Sequence, residues 1–249
     1  MNLLREYVRI DGRGYVAHAH RSCAEWVHDV LLNETLYSWA ARQPDRKVHR
    51  GRLPAYEVAL PGSGSSVVVR HSHHGGLLAP LLRDLFLPPT RASLELARSY
   101  LLVMDGVRTP LVLATAVYKA AWILRRSDVV TAAIPGRTLG ALIRENEPSD
   151  RWIAPVAELL AQLASRGLWH PDLNVNNVLL TGEGGATVAY ILDIDRLKHV
   201  SMDPRSVHAA NVRRLARSVR KWCALHSAAI DPDWIVLLRE AMAERPVLR

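Results

Sequence analysis

Residues 169–180 read WHPDLNVNNVLL and place one His, one Asp and three Asn within nine positions, ahead of an apolar run. A second polar cluster, ILDIDR, follows at 191–196. Between the two clusters, Val178–Leu180 and Val188–Leu192 read as short strands around TGEGGAT, the pattern of a hairpin. An antiparallel hairpin sets the start of its first strand beside the end of its second. Asn177 and Asp193 are therefore expected to meet although sixteen positions separate them. An amide oxygen beside a carboxylate is a hard-oxygen pair suited to Mg²⁺. Asp172, on the loop entering the hairpin, brings a second carboxylate near that pair without ligating the metal. A base for a hydroxyl and a metal for phosphate oxygens are what phosphoryl transfer needs.

The rest of the chain has to position those groups. YEVALPG (56–62) and SSVVVRH (65–71) form two β-rich runs joined by Pro61-Gly62-Ser63-Gly64, a hairpin signal. The loop RHSHHGG (70–76) follows, basic and Gly-containing. In TRASLELARSYLLVM (90–104), Leu94, Ala97, Leu101 and Met104 recur at helical spacing. TPLVLATAVY and AAWILRRSDVVTAAI supply further strand-like runs, and the texture changes at Thr131–Ile134. Beyond residue 150 the pattern is mainly helical. APVAELLAQLASRG (154–167) is amphipathic and closed by Gly167. In VHAANVRRLARSVRKWCAL (207–225), Val212, Leu215, Val219 and Trp222 share one face, with Arg213, Arg217, Arg220 and Lys221 opposite.

A chain of 249 residues with 49% apolar composition is long enough for one bilobal unit with a sizeable core. The net charge of +8 points to an anionic partner. Six Lys/Arg residues between Arg205 and Lys221 come with no acid among them, a composition suited to an anionic membrane surface. Trp222 is the aromatic interleaved with those cations, too little for a nucleic-acid stacking surface, so no nucleic-acid partner is expected. Two distant cysteines, Cys23 and Cys223, make no disulfide framework and point to a reducing compartment. The charged opening MNLLREYVRIDGRG lacks the apolar core of a signal peptide. The longest apolar stretch is broken by Lys119 and too short to span a bilayer, so a soluble or membrane-surface protein is expected.

HPDLNVNN followed by DID resembles the H-x-D-x-x-x-x-N catalytic loop and the metal-binding D-F-G segment of the protein-kinase fold. The form H-x-D-L-N-x-x-N with D-hydrophobic-D-R is similar to the 3-deoxy-D-manno-octulosonic acid (Kdo) kinases, within the lipopolysaccharide core kinase family of Gram-negative bacteria. GRGY (12–15), VVVRHSHHGGLL (67–78) and TAAIPGRTL (131–139) agree with that likeness.

The resemblance implies an α+β, bilobal, protein-kinase-like fold. A strand-rich N-terminal lobe with one main helix (1–134) would bind nucleotide, and a mainly helical C-terminal lobe (135–249) would carry catalysis and substrate. It further implies ATP and Mg²⁺ as cofactors, Asp172 as the base, His170 as the structural histidine, and Asn177 and Asp193 as metal ligands. Asn174 stands where protein kinases usually carry Lys. Arg70 takes the place of the strand-borne Lys on the α/β-phosphates, with Glu95 as its ion-pair partner. An i,i+4 pair between Arg91 and Glu95, worth ~0.3 kcal/mol, is the plainer alternative for Glu95. RGRLPAY (50–56), with Gly51 and Arg52, is the expected phosphate-covering loop; GRGY is a rival site for it.

The implied reaction is ATP-dependent phosphorylation of a Kdo hydroxyl on the lipid A-linked inner core, at the cytoplasmic face of the inner membrane, by a peripheral protein. A core heptose or small soluble alcohol as acceptor, or a non-catalytic lipid- or partner-binding role, are the alternatives. Two other stretches carry metal-like patterns. H-x-D with a distant His208 or His226 matches the two-His-one-carboxylate iron pattern, but that site needs a double-sheet barrel and the intervening chain reads as helix. His71, His73 and His74 read as a solvated basic loop rather than metal ligands.

Overall fold

A computed structural model describes residues 3–49, 53–73, 84–148, 150–183, 186–230 and 233–240. The chain divides into two compact units, one of residues 1–101 and 110–133, the other of residues 102–109 and 134–249. Together they make an α+β architecture, strand-rich in the first unit and mainly helical in the second. Among the described residues no helix is long and apolar enough to cross a membrane.

The first unit is a seven-stranded antiparallel sheet with the order β1-β2-β6-β7-β5-β4-β3. Its strands are β1 (Tyr7–Gly12), β2 (Tyr15–His20), β3 (Lys47–His49), β4 (Ala55–Ala59), β5 (Ser66–His71), β6 (Val112–Ala121) and β7 (Leu124–Ala132). Alternation buries Val67 and Val69 on β5 and Ala114 and Ala116 on β6, and these pack against Val27, Leu31 and Leu36. Those last three come from helices α2 (Ala24–Leu31) and α3 (Leu36–Arg42), which follow a short α1 (Leu3–Glu6). The runs 56–62 and 65–71 pair as β4 and β5, and the GRGY segment forms the β1–β2 turn.

Helix α4 (Arg91–Met104) buries a different face from the one its larger side chains suggested. Ala92, Leu96 and Tyr100 pack with Tyr7, Val112 and Val129, whereas Leu94, Leu101 and Met104 lie 59%, 62% and 47% exposed. Both stripes have helical period, so periodicity alone could not choose between them. Ser99 decides for the buried face: fully buried, it accepts from Val112 N–H (2.8 Å) and donates to Pro110 C=O (3.2 Å). It thereby satisfies backbone groups that would otherwise be stranded.

His71 departs from the solvated-loop expectation. It ends β5 half-buried, with Nδ1 2.6 Å from Asp128 Oδ1 and Nε2 3.2 Å from Asp84 Oδ2. Asp128 is fully buried, and its other oxygen accepts from Tyr118 Oη (2.8 Å) and from Tyr37 N–H (3.0 Å). Tyr118 Oη accepts in turn from Leu36 N–H (3.1 Å). One buried carboxylate thus ties β5, β6, β7 and the start of α3 together. Burial alone would lower the imidazole pKa, but Asp128 and then Asp84 outweigh it and raise it. His73 is also described and half-buried; His74 lies outside the described residues.

The second unit is built on α6 (Asp150–Ser165) and α7 (Pro204–His226), with α5 (Leu139–Arg144) and α8 (Trp234–Glu240). Helix α6 buries Leu159, Leu160 and Leu163 completely, and α7 contributes Val212, Leu215 and Val219 to the same core. Asp203 caps α7 by accepting from Ser206 N–H, with Pro204 in the first turn. A three-stranded sheet, β11-β10-β8, lies against α6; its strands are β8 (Arg137–Thr138), β10 (Val178–Glu183) and β11 (Ala186–Ile191). Gly136 lets β8 reach β10, since a Cβ there would stand 2.4 Å from Leu180 O. A two-stranded ribbon pairs β9 (Leu168–Trp169) with β12 (Lys198–His199).

Two outcomes follow from these contacts. A histidine with a raised folded pKa contributes stability that is fully present below its unfolded value, about 6.5, and is lost as pH rises through the folded value. Unfolding of the full chain by urea should therefore show stability falling above about pH 6.5, and His71→Gln should flatten that slope. The variant should also lose about 3–5 kcal/mol at pH 6, because Asp128 keeps its burial without its partner. Gly136→Ala should cost about 1–3 kcal/mol in the same measurement by forcing β8 off β10.

Candidate active site

Register places the two polar clusters of the second unit together. Val178 pairs with Ile191, and one step further along Leu192 N–H donates to Asn177 C=O at 2.8 Å. Asp193 is the next residue, at φ 57° and ψ 52°, where it opens the 3₁₀ turn 194–196. Asp and Asn tolerate that left-handed conformation better than other side chains that carry a Cβ.

The loop ahead of β10 is braced from within. Asp172 N–H donates to His170 Nδ1 (3.2 Å). The Nδ2 groups of Asn174 and Asn177 both donate to Asp172 C=O, at 2.9 and 3.1 Å. Asn174 Oδ1 accepts from Asn176 N–H (2.9 Å). Asn174 is therefore engaged at both ends of its amide inside the loop, and its position carries a brace in place of a charge. Asn177 spends its amide nitrogen on the loop and keeps its amide oxygen unengaged among the described residues.

His170 is completely buried. Since its Nδ1 accepts a hydrogen bond, the ring is assigned as the neutral tautomer with its proton on Nε2. Burial lowers its pKa, against the raising effect of the nearby Asp193 backbone and of Asp172. Its role here is architectural.

Helix α7 holds the loop with one face. Asn211, fully buried, accepts from His170 N–H (3.0 Å) and donates to Leu168 C=O (2.9 Å). Arg214 donates from Nε to Pro171 C=O (2.8 Å) and from Nη2 to Asp172 Oδ1 (2.9 Å). Ser218 Oγ accepts from Val175 N–H (3.2 Å), and Trp222 Nε1 donates to Gly140 C=O (2.7 Å). Positions 211, 214, 218 and 222 lie on one helical stripe, each reaching backbone or side chain of the loop or of α5. Gly140 lets α5 approach, since a Cβ there would meet Asn176 Oδ1 at 2.5 Å. The apolar reading of α7 found its core face and missed Asn211 and Arg214. The available signal was a polar series at helical spacing beside the apolar one.

Within the first unit, Arg70 on β5 pairs with Glu95 on α4. Glu95 is buried while Arg70 is partly open, so the carboxylate steers the guanidinium from the core side. Gly51 and Arg52 lie outside the described residues.

Asn177 and Asp193 suit a hard divalent cation by the chemistry of their oxygens. The loop already uses the amide nitrogen of Asn177 and so aims the oxygen elsewhere. No cluster of three His, Cys, Asp or Glu side chains able to hold a metal occurs among the described residues.

Residues 44–240 match the Lipopolysaccharide kinase (Kdo/WaaP) family. A 3-deoxy-D-manno-octulosonic acid kinase of Actinobacillus succinogenes is 30% identical over 185 residues, covering 71% of this chain and 75% of that protein. Kinases of the same name from Pasteurella multocida and Xylella fastidiosa are 25% identical over 181 residues (70% and 75% covered) and 28% over 186 (67% and 70%). A solved structure, WaaP in complex with acyl carrier protein, matches at TM-score 0.50 and 18% identity, covering 84% of this chain and 86% of that one, and shows the shared kinase-like fold. With the braced H-x-D loop, the hairpin that returns Asp193 to Asn177 and a family match over most of the chain, the protein belongs to the lipopolysaccharide kinase (Kdo/WaaP) family and is a phosphotransferase.

Proposed function

We propose that the chain phosphorylates a hydroxyl of the Kdo sugar on the lipid A-linked inner core, using ATP and Mg²⁺, while bound peripherally at the cytoplasmic face of the inner membrane. The observation that carries this reading is the presentation of Asp172. Its backbone is fixed at the amide, by His170, and at the carbonyl, by Asn174 and Asn177, while its carboxylate stays half exposed.

In this reading Asp172 orients the acceptor hydroxyl and takes its proton as the bond to phosphorus forms. Arg214 occupies Oδ1, which leaves Oδ2 to meet the hydroxyl. The guanidinium also restores a positive charge beside the loop, where Asn174 supplies none. Asn177 and Asp193 would hold Mg²⁺, which when bound neutralises phosphate oxygens. Arg70, steered by Glu95, would contact the α/β-phosphates, with Gly51 and Arg52 over them. The Kdo acceptor is supported by the names of the relatives, its place on lipopolysaccharide by the family description, and the membrane site by the +8 charge of the chain.

Incubation with ATP, Mg²⁺ and Kdo–lipid A, followed by mass analysis, should show one added phosphate on Kdo. Phosphate gained only by heptose-bearing acceptors would replace the substrate assignment. Asp172→Asn should lower kcat about 10²–10⁴-fold with Mg·ATP binding retained in a thermal-shift assay. Asn177→Leu and Asp193→Ala should each remove the Mg²⁺ dependence of that shift. Arg214→Ala should lower kcat at least about tenfold with little change in the KM for ATP, the pattern of a lost transition-state interaction.

A further inference from the structure

At one end of the seven-stranded sheet the chain makes two turns side by side. The β1–β2 turn holds Arg13 and Gly14, the β6–β7 turn holds Trp122 and Ile123, and Lys119 N–H joins them by donating to Gly14 C=O at 2.7 Å. Trp122 is 97% exposed and Ile123 62%. Trp122 also sits at φ 44°, a left-handed conformation that bulky side chains rarely adopt. The surroundings hold it there. Arg125 donates from its guanidinium to the carbonyls of Trp122 (3.1 Å) and Leu124 (2.9 Å). Its backbone exchanges two 2.8 Å hydrogen bonds with Phe86, which brings the 61% exposed Leu87 alongside.

The result is an indole and two branched aliphatic side chains held in water on a braced hairpin tip, with cations around them. Among the described residues neither Arg13 nor Lys119 pairs with a carboxylate. The nearby acids are taken: Asp11 by Arg9 (2.8 Å), and Asp84 by Arg126 (2.6 Å) and His71. The remaining charge at this tip is positive.

We propose that this paired turn docks the protein on an anionic bilayer. Trp122 and Ile123 enter the interfacial layer while Arg13, Lys119 and Arg125 meet lipid phosphates. An indole combines an apolar body with one N–H donor and settles at the headgroup level. Basic residues beside it are attracted to an anionic surface and can extend toward it. A protein partner fits less well. The three apolar side chains offer on the order of 500 Å² together, short of the about 800 Å² per side that a stable protein interface buries. The inference rests on the reading of a membrane-borne acceptor and names the element that reaches the membrane.

The test is co-sedimentation of the full chain with vesicles of phosphatidylglycerol and phosphatidylcholine, beside vesicles of phosphatidylcholine alone. Binding should require the anionic lipid and weaken with salt. Trp122→Asn with Ile123→Ser, the first chosen because Asn tolerates left-handed backbone, should weaken it at least tenfold. Lys119→Glu with Arg13→Glu should also weaken it and reduce its salt dependence. Brominated lipid should quench tryptophan fluorescence in the wild type and less in the Trp122→Asn chain. Phosphorylation of a soluble, acyl-free Kdo acceptor should be unchanged in the chain carrying Trp122→Asn and Ile123→Ser. Vesicle binding through the tip without any Kdo phosphorylation would overturn the acceptor assignment and leave the docking element standing. The docking proposal is overturned if the tip variants bind like wild type, if neutral vesicles bind equally well, if the wild type binds neither, or if only Arg213→Glu with Arg217→Glu abolishes binding.

Discussion

The side chain of Asn211 is the pin on which the second unit turns. It is fully buried, and it joins a helix to a loop by one accepted and one donated hydrogen bond, to His170 N–H and Leu168 C=O. Both backbone groups would otherwise be stranded in the core, where an unmet amide or carbonyl costs about 1–3 kcal/mol. An amide supplies a donor and an acceptor on one short stem, and here both are used. Asp172, held two residues beyond this anchor, inherits its position from it. The neutral His170 ring, too deep to be charged cheaply, fixes the next amide along. Only after these constraints are met does the hairpin have a defined place to return Asp193.

The first unit reaches a comparable rigidity by a different route. There a fully buried carboxylate, Asp128, gathers a histidine, a tyrosine hydroxyl and a backbone amide from separate elements. A buried charge is tolerated when its lone pairs are filled, and it becomes expensive once one partner is removed. The Arg70–Glu95 pair on neighbouring β5 and α4 follows a softer rule, with one member buried and the other half open. One arrangement fixes the sheet, and the other joins a strand to a helix at a partly open surface.

How far the sequence could be read depended on the range of the interaction. The hairpin was legible because strand period and a Gly-rich turn are local, and simple register arithmetic then brought Asn177 to Asp193. Ion pairing of Arg70 with Glu95 was reachable through resemblance, since nothing local separates that partner from Arg91. The buried face of α4 was not legible from size, because Leu94 and Leu101 outweigh Ala92 and Ser99 on any hydrophobicity scale. On the buried face Ser99 meets backbone groups of Pro110 and Val112, a pairing that side-chain size does not report. Asn211 and Arg214 act across about forty residues of chain, so no window around the catalytic loop contains them. The setting of His71 is hidden from its local sequence for the same reason: its partner Asp128 lies on another strand.

The left-handed backbone at Asp193 has a consequence for how this site can vary. A metal-binding carboxylate is ordinarily exchangeable between Asp and Glu, at the cost of a longer reach. At φ 57° that freedom narrows, because a longer side chain lacks the short polar stem that makes this conformation tolerable. Under the proposed metal role the position is selected twice, once by coordination chemistry and once by torsion angle. Glycine would suit the torsion and supply no oxygen, glutamate would supply the oxygen against the torsion, and aspartate meets both demands.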